Sequence, residues 1–379
     1  MTDLPLAGPA PAISEIDTAS LAAWLGARGE PAYRTGQVLE GVHRPDASAF
    51  ADLTELPLEL RDSLAAAFRF STIADSHVIG ADAGMTAKAV HELVDGQRIE
   101  SVLMRYAARG AMAARTTVCI SSQAGCAVNC PFCATGQAGF VRQITAGEIV
   151  DQVLHWHRPP WNALGDGRGG HYNIVFMGMG EPLNNADRVF EAVRLLNDPA
   201  RLGIGARHIT VSTSGVVPGM HRMIEELPQV NLAISLHAAT DALRDELVPI
   251  NRKWPVREVV AAGRRFAART RRRVSLEYVM IDGVNDGDDQ ADGLVSLAGG
   301  WRSHLNLIPL NPTFGSRWSG TPAAGIERFV QRLRAGGISV TVRDTRGREI
   351  DAACGQLHAQ LSGRSLRQAR AAAMAGSPS

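Results

Sequence analysis

The sequence predicts an α/β protein: a full or partial β/α barrel preceded by a small N-terminal helical unit, the two joined by a short β-hairpin or sheet connection. Three observations predict it. From residue 116 onward, apolar strand candidates alternate with amphipathic segments, the pattern of a parallel sheet flanked by helices. Residues 1–70 instead carry apolar positions at helical spacing. The length of 379 residues is too great for one ordinary core and favours a large domain with a smaller companion.

In chain order, "ISEIDTASLAAWLGARG", "PAYRTGQVLEGVHR" and "FADLTELPLELRDSLAAAFR" predict helices separated by Gly or Pro, which marks 1–70 as an accessory unit. "HVIGADAGMTAKAVHELVDGQRIESVLMRY" has alternating stretches and a "DG" turn, so 71–115 reads as a β-rich connector. "TTVCIS", "NIVFMG", "HITVSTS", "NLAISLH", "VSLEYVMI", "HLNLIPL" and "SVTVRD" are the strand candidates of a core spanning 116–358. "AGEIVDQVLHWH", "ADRVFEAVRLL", "GMHRMIEEL", "VREVVAAGRRFAART" and "AGIERFVQRLRAGG" are the helices between them. About six such units fit a barrel, whose active site lies at the C-terminal ends of the strands. The tail, 359–379, is basic at its start and reads as flexible or helical.

Apolar residues make up 45% and charged residues 20%, an ordinary globular composition. The net charge is +1, so a polyanion site must come from local clusters of Arg and not from overall charge. "MTDLPLAGPAPAISE" has no basic start followed by an apolar run, and no stretch is apolar enough to span a membrane. The chain reads as cytoplasmic, with no membrane partner. In that compartment Cys119, Cys126, Cys130, Cys133 and Cys354 are better read as metal ligands or catalysts than as structural disulfides.

"GCAVNCPFCATG" places Cys126, Cys130 and Cys133 at C-x3-C-x2-C spacing just after the first barrel strand. A closed structural zinc site takes four ligands, which would need Cys119 or the distant Cys354 as well. A four-iron cubane held by three thiolates keeps one iron open to a small molecule. Other chemistry-bearing residues follow successive strands: Gly178, Gly180 and Glu181 in "FMGMGEP", Ser212 in "VSTSG", Ser235 and His237 in "SLHA", and Asn311 in "IPLNP". Each is weak alone; on successive strand ends they would line one pocket. The glycines would let the backbone approach a ligand closely, and Glu181 could pair with an ammonium group.

The cysteine spacing after a first βα strand resembles the radical S-adenosylmethionine (SAM) superfamily. From roughly residue 20 to residue 365 the chain resembles the radical SAM adenine-C2 RNA methyltransferases, through "DGQRIESVLM", "TTVCISSQAGCAVNCPFCATGQAGFVR", "LAISLHAATDALRDELVPIN", "NLIPLNP" and "VRDTRGREIDAACGQL". The resemblance implies one 4Fe–4S cluster on Cys126, Cys130 and Cys133, and two SAM molecules per turnover. It implies SAM contacts at Gly180, Glu181, Ser212, Ser235, Leu236, His237 and Asn311. Cys354 would carry a methyl from one SAM. A deoxyadenosyl radical from the second would turn that methyl into a carbon radical that adds to C2 of adenine in 23S rRNA or tRNA. Glu100, in "RIESV", matches the proton acceptor. Cys119 would close a transient disulfide with Cys354, although Cys119 also stays open as the base. The radical route has a chemical reason: C2 is electron-poor and has no lone pair with which to attack a methyl group.

The resemblance also implies an electron donor such as flavodoxin or ferredoxin, and a monomer. Related enzymes that methylate C8 share every cysteine named, and a non-catalytic iron–sulfur or zinc RNA-binding protein is the alternative from another class. The target adenine must leave its stack, which costs a few kcal/mol. Arginines in "PAYRTGQVLEGVHR", in 264–273 and in "RDTRGR" (343–348) are the candidates for offsetting that cost on phosphate. For 264–273 a solvated helix face is the favoured reading, and "RDTRGR" is the stronger candidate because it leads into Cys354.

Overall fold

The computed structural model describes residues 10–108, 110, 113–164, 172–313, 316–343, 347, 350–352 and 355–357. Cys354, most of 344–349 and the tail from residue 358 lie outside these described residues.

Three helices open the chain: α1 (Thr18–Gly26), α2 (Tyr33–His43) and α3 (Leu58–Ala67). Asp17 caps α1 by accepting from the Ser20 N–H at 2.9 Å, which satisfies one of the orphan donors of the first turn. Leu21, Leu25, Val38, Leu39, Val42, Leu60 and Leu64 then close on Phe50 and Phe68 as a small core of their own.

Strands β1 (Ile73–Ala81), β2 (Thr86–Leu93) and β3 (Arg98–Tyr106) form an antiparallel meander. It does not stand apart, because β3 pairs antiparallel with β4 (Arg115–Cys119), the first strand of the parallel sheet. A small hairpin follows, β5 (Gln123–Gly125) and β6 (Phe140–Gln143), with the short helix α4 (Ala134–Ala138) between them. Helix α5 (Ala146–His157) leads to β7 (Tyr172–Phe176), and α6 (Ala186–Asn197) to β8 (Ile209–Thr213). The alternation continues with α7 (Val217–Glu226), β9 (Asn231–Ser235), α8 (Asp241–Leu247), α9 (Val256–Thr270) and β10 (Val274–Met280). It ends with α10 (Asp288–Ala298), β11 (Ser303–Pro309), α11 (Ala323–Ala335) and β12 (Val340–Val342).

The ten strands other than β5 and β6 form one sheet in the order β1-β2-β3-β4-β7-β8-β9-β10-β11-β12. Every neighbour pair from β4 to β12 is parallel. Among the described residues no pairing joins β12 back to β1 or β4, so the barrel is partial. Each predicted core strand is present. Helices α8 and α10 and the β5–β6 hairpin are additions to the predicted elements. Among the described residues no helix is long and apolar enough to cross a membrane.

Helix α5 fixes the accessory unit to the barrel. It is buried almost all round, so its polar residues all need partners. The Gln152 amide bridges the Ser121 N–H and carbonyl, at 2.8 and 3.1 Å, and so sets the exit of β4. Asp151 Oδ2 accepts from the Thr72 N–H at 2.6 Å, Thr72 Oγ1 at 2.7 Å, Ser14 Oγ at 3.0 Å and Ser71 Oγ at 3.2 Å. Burial pushes its pKa up, and these donors work against that shift. Asp151→Ala would strand them, so it should cost about 3 kcal/mol of stability. Denaturant unfolding measures this; an unmoved midpoint would show that the contact is idle.

Candidate active site

The cysteine loop hangs between two backbone constraints. The Cys126 N–H donates to the Gly139 carbonyl at 2.8 Å, pinning the loop to the β5–β6 hairpin. Gly125 has φ +77°, and a Cβ there would stand 2.0 Å from the Gly139 oxygen, so only glycine permits that closure. Burial pushes the Cys126 thiol up to about 12, and neighbouring Glu181 and Cys133 push it the same way. Cys130 is raised well above its ordinary value, again chiefly by burial. Such thiols ionise when a cation arrives, which suits a metal cluster better than a free nucleophile. Among the described residues no three His, Cys, Asp or Glu side chains converge on a single-ion position. The three cysteines line one cavity instead, the arrangement expected when each thiolate takes a separate iron.

That cavity, of about 170 Å3, lies at the C-terminal ends of the parallel strands. Gly178, Gly180 and Glu181 reach it from β7, Ser212 from β8, Ser235 and His237 from β9, and Asn311 from β11. Glu181 is buried. Its Oε2 accepts from the Ser214 N–H and Oγ, both at 2.6 Å, and its Oε1 from the Leu183 N–H at 3.0 Å. Burial raises its pKa, while the Ser214, Thr213 and Leu183 hydrogen bonds favour the charged form. His237 adopts φ +60°, and its Nδ1 accepts from the Val279 N–H at 3.1 Å. Burial drives its pKa down to about 3, so the ring is neutral at ordinary pH. Ser212 and Ser235 stand 3.5 Å apart through their hydroxyls.

Asn311 is the clearest sign of a ligand. Only 2% of it is exposed, it lines the cavity, and neither its Oδ1 nor its Nδ2 has a hydrogen-bond partner. A buried carboxamide left open in this way calls for a polar occupant. The amino acid part of SAM offers both an ammonium donor and a carboxylate acceptor. The glycines and Leu236 also have packing roles of their own. A Cβ on Gly178 would meet the Ile120–Ser121 backbone at 2.7 Å, and one on Gly180 would meet Gln123 at 2.5 Å. The chain's own packing against the β4 exit already demands glycine at both, apart from any ligand. Leu236 is fully buried in the hydrophobic core and does not line the cavity. Its N–H goes to the Glu277 carbonyl and its carbonyl to Arg244.

Three polar residues at the site escaped the sequence reading. Glu277 lines the cavity from β10, is raised by burial, and accepts from Asn306 at 2.8 Å. Its signal was a carboxylate in an otherwise apolar strand. Arg244 is fully buried beneath the cavity wall, although its neighbours in "DALRDEL" are largely charged. It donates to the Leu236 carbonyl at 2.9 Å, Ser214 at 2.6 Å, Ser235 at 3.2 Å and Asn251 Oδ1 at 2.9 Å. Lys88 is the third.

Glu100 and Cys119 meet on one face of the antiparallel extension. Val102 pairs with both Lys88 and Cys119, so these three form one cross-strand row. Glu100, two residues along β3, points to the same face. Both Glu100 and Cys119 are buried. Described residues on the N-terminal side of Cys354 rest against this face. The Gly347 N–H donates to Asp82 Oδ2 at 3.1 Å, Ile350 and Ala352 join the core, and the Asp351 carbonyl accepts from Lys88 Nζ at 3.4 Å. Beyond Cys354 the chain turns to the cysteine loop. The Gly355 carbonyl accepts from the Ala134 N–H at 2.7 Å, Leu357 bonds Thr135, and Gly355 lines the cavity.

The basic candidates separate. Arg34 pairs with Glu30, and Arg44 with Asp46 and Glu55, so both are already partnered. Arg264, Arg265 and Arg269 stand exposed on the outer face of α9. Arg343 lines the cavity; its neighbours in "RDTRGR", Gly347 excepted, lie outside the described residues.

The radical SAM superfamily model matches residues 120–293. A relative from Frankia alni named "Probable dual-specificity RNA methyltransferase RlmN" is 49% identical over 346 residues, covering 90% of this chain and 81% of its own length. One of the same name from Thermobifida fusca is 48% identical over 334 residues, covering 87% and 90%. The crystal structure of a radical SAM methyltransferase from Sphaerobacter thermophilus is 46% identical and superposes with a TM-score of 0.87, covering 92% of this chain and all of that one.

Cys126→Ala, Cys130→Ala and Cys133→Ala should each abolish bound iron and the brown absorbance of anaerobically purified protein. Iron analysis tests this, and a wild-type iron content in any one of them would remove that thiol from the donor set.

Proposed function

The chain belongs to the radical SAM dual-specificity RNA methyltransferases, and from that membership we propose that it methylates C2 of adenine in 23S rRNA and in tRNA, just 3′ of the anticodon, through a methyl carried on Cys354. The observation that carries this reading is the seat of the Cys354 segment. Asp351 rests on the face holding Glu100 and Cys119, and Gly355 borders the cysteine-lined cavity. Cys354 lies between these two flanking points in the sequence.

When bound, the 4Fe–4S cluster and SAM supply the methyl group and the carbon radical that a polar transfer to C2 cannot provide. Cys126, Cys130 and Cys133 would hold three irons and leave the fourth to SAM. Asn311 fits the SAM amino acid group through its open amide, with Glu181, held by Ser214 and Leu183, beside it. Ser212, Ser235 and His237 complete the wall. Neutral His237 adds no charge that would repel a sulfonium. Glu100 takes the C2 proton from the covalent enzyme–RNA species; the bonding pair stays with the ring, and the unpaired electron of the adduct would return to the bound cluster. The Cys119 thiolate then attacks the Cys354 sulfur to close a disulfide; the S–CH2 bond breaks, and its electron pair passes to the methylene carbon, which takes a proton to become the methyl group. External reductant returns both thiols by exchange. A donor of flavodoxin or ferredoxin type, a monomeric state and a cytoplasmic setting complete the reading.

Asn311→Ala should weaken SAM binding about 10-fold or more while iron content stays normal, since it removes hydrogen bonds to charged groups. Equilibrium binding to the iron-loaded protein measures it, and unchanged affinity would leave the open amide without a ligand. Cys119→Ala should accumulate a denaturation-resistant enzyme–RNA crosslink that Cys354→Ala never forms. Denaturing gels decide, and a crosslink from Cys354→Ala would reassign the methyl carrier. Mass spectrometry of the digested RNA should place the methyl on C2; a C8 product would replace the proposed regiochemistry.

A further inference from the structure

Lys88 and Lys253 are the only lysines in a chain with 39 basic residues, so arginine serves nearly everywhere else. Lys253 lies beside Trp254 on an exposed turn. Lys88 is 2% exposed, midway along β2, a strand buried over almost its whole length. Register explains what it reaches. Val90 pairs with Glu100, so Lys88, two residues earlier on the same face, is the diagonal neighbour of Glu100. A long side chain spans that diagonal. Lys88 Nζ lies 3.3 Å from Glu100 Oε1, and Glu100 itself is fully buried. The same ammonium donates to the Asp351 carbonyl at 3.4 Å, three residues before Cys354.

We propose that Lys88 is a positioning residue for RNA methylation: its ammonium ties the Glu100 carboxylate to the backbone that carries Cys354. This rests on the reading in which Glu100 takes the C2 proton and Cys354 carries the methyl. Three features support it beyond ordinary ion pairing. First, the two contacts join elements more than 240 residues apart in sequence, since the Asp351 bond closes a separation of 263 residues. Second, the row Lys88–Val102–Cys119 puts the same ammonium on the face that holds the proposed disulfide partner of Cys354. Third, the position keeps lysine in an arginine-rich chain. A compact ammonium can aim its donors at a carboxylate and a carbonyl in different directions, whereas the planar guanidinium fork commits its donors to one plane. The segment it holds needs such fastening: Asp351 itself has φ +52°, the left-handed region, so the chain turns sharply just before Cys354. With the clamp in place, the base and the covalently bound adenine keep one geometry after the adduct forms.

The test reads product formed per Cys354 methylated, in iron-loaded enzyme with RNA substrate, SAM and reductant. Cys354 methylation is followed by peptide mass spectrometry, the enzyme–RNA species on denaturing gels, and methyladenine by RNA digestion. A variant that only misfolds loses methylated Cys354 and product together, which leaves the ratio unchanged. Lys88→Met should cut the ratio about 100-fold and accumulate the covalent enzyme–RNA species, because a misplaced base loses most of its general-base contribution. Lys88→Arg, which keeps the charge but not the compact head, should recover only part of the ratio, leaving it above that of Lys88→Met and below wild type. An unchanged ratio in Lys88→Met, with methylated Cys354 at the wild-type level, overturns the inference. Glu100→Gln in the same assay separates the two levels. If Glu100→Gln lowers the ratio and Lys88→Met does not, only the clamp is wrong. If Glu100→Gln leaves the ratio unchanged, the assignment of the base fails and the clamp with it.

Discussion

The buried guanidinium of Arg244 is the contact on which the cavity depends. Carbonyl oxygens at the ends of parallel strands diverge and leave acceptors that no ladder satisfies. Arg244 collects those of Ser214, Ser235 and Leu236 and is itself held by Asn251. Burial lowers its pKa to about 10, still high enough to keep it charged at neutral pH. Ser214, whose carbonyl it holds, gives its N–H and hydroxyl to Glu181. One charge therefore fixes both the wall and the carboxylate in it. The same charge also favours the thiolate form of Cys130. A buried ion of this kind is costly on its own and stable only with a full set of partners, which it has here.

The second constraint is the continuity of the sheet. An antiparallel meander extends the parallel barrel through the β3–β4 pairing, and its face becomes a platform for a segment from the far end of the chain. The barrel supplies the cysteine loop and the cavity; the meander supplies Glu100, Lys88 and the neighbours of Cys119. Neither part contains the whole set of proposed reacting groups. The local pairings of β1, β2 and β3 can form early, whereas the seat for residues 347–357 must wait for contacts that span nearly the whole sequence.

Much of this was readable from residue order. The parallel strands are apolar runs that end in polar, chemistry-bearing residues, and buried parallel strands impose that pattern. The cysteine spacing pointed to a cluster, and Asn311 and Glu181 were found from their places at strand ends. What stayed hidden depended on partners distant in sequence. Lys88 in "TAKAVHEL" and Arg244 in "DALRDEL" look solvent-facing because nothing nearby in the chain reveals the carboxylate or carbonyls that meet them. Helix α10 carries Gly293 and a weak apolar stripe, so its sequence gives little helical signal. The glycines of "GMGEP" were assigned to ligand approach because sequence cannot show that the β4 exit crosses behind them. The roles of Cys119 and Cys354 came from family resemblance, since a lone cysteine is equally at home in a core.

The four donors gathered on Asp151 have a consequence for how RNA is chosen. They tie Ser14, before α1, and Ser71 and Thr72, after α3, to α5, and through Gln152 that helix is also tied to the strand leading into the cysteine loop. Swinging the N-terminal unit away from α5 would have to break these buried hydrogen bonds. The entropy of adjustment falls on the nucleic acid. Loops whose adenine already spends time outside the stack are admitted at low cost. Extruding a paired adenine costs more than taking one that already leaves its stack, before any base edge is read.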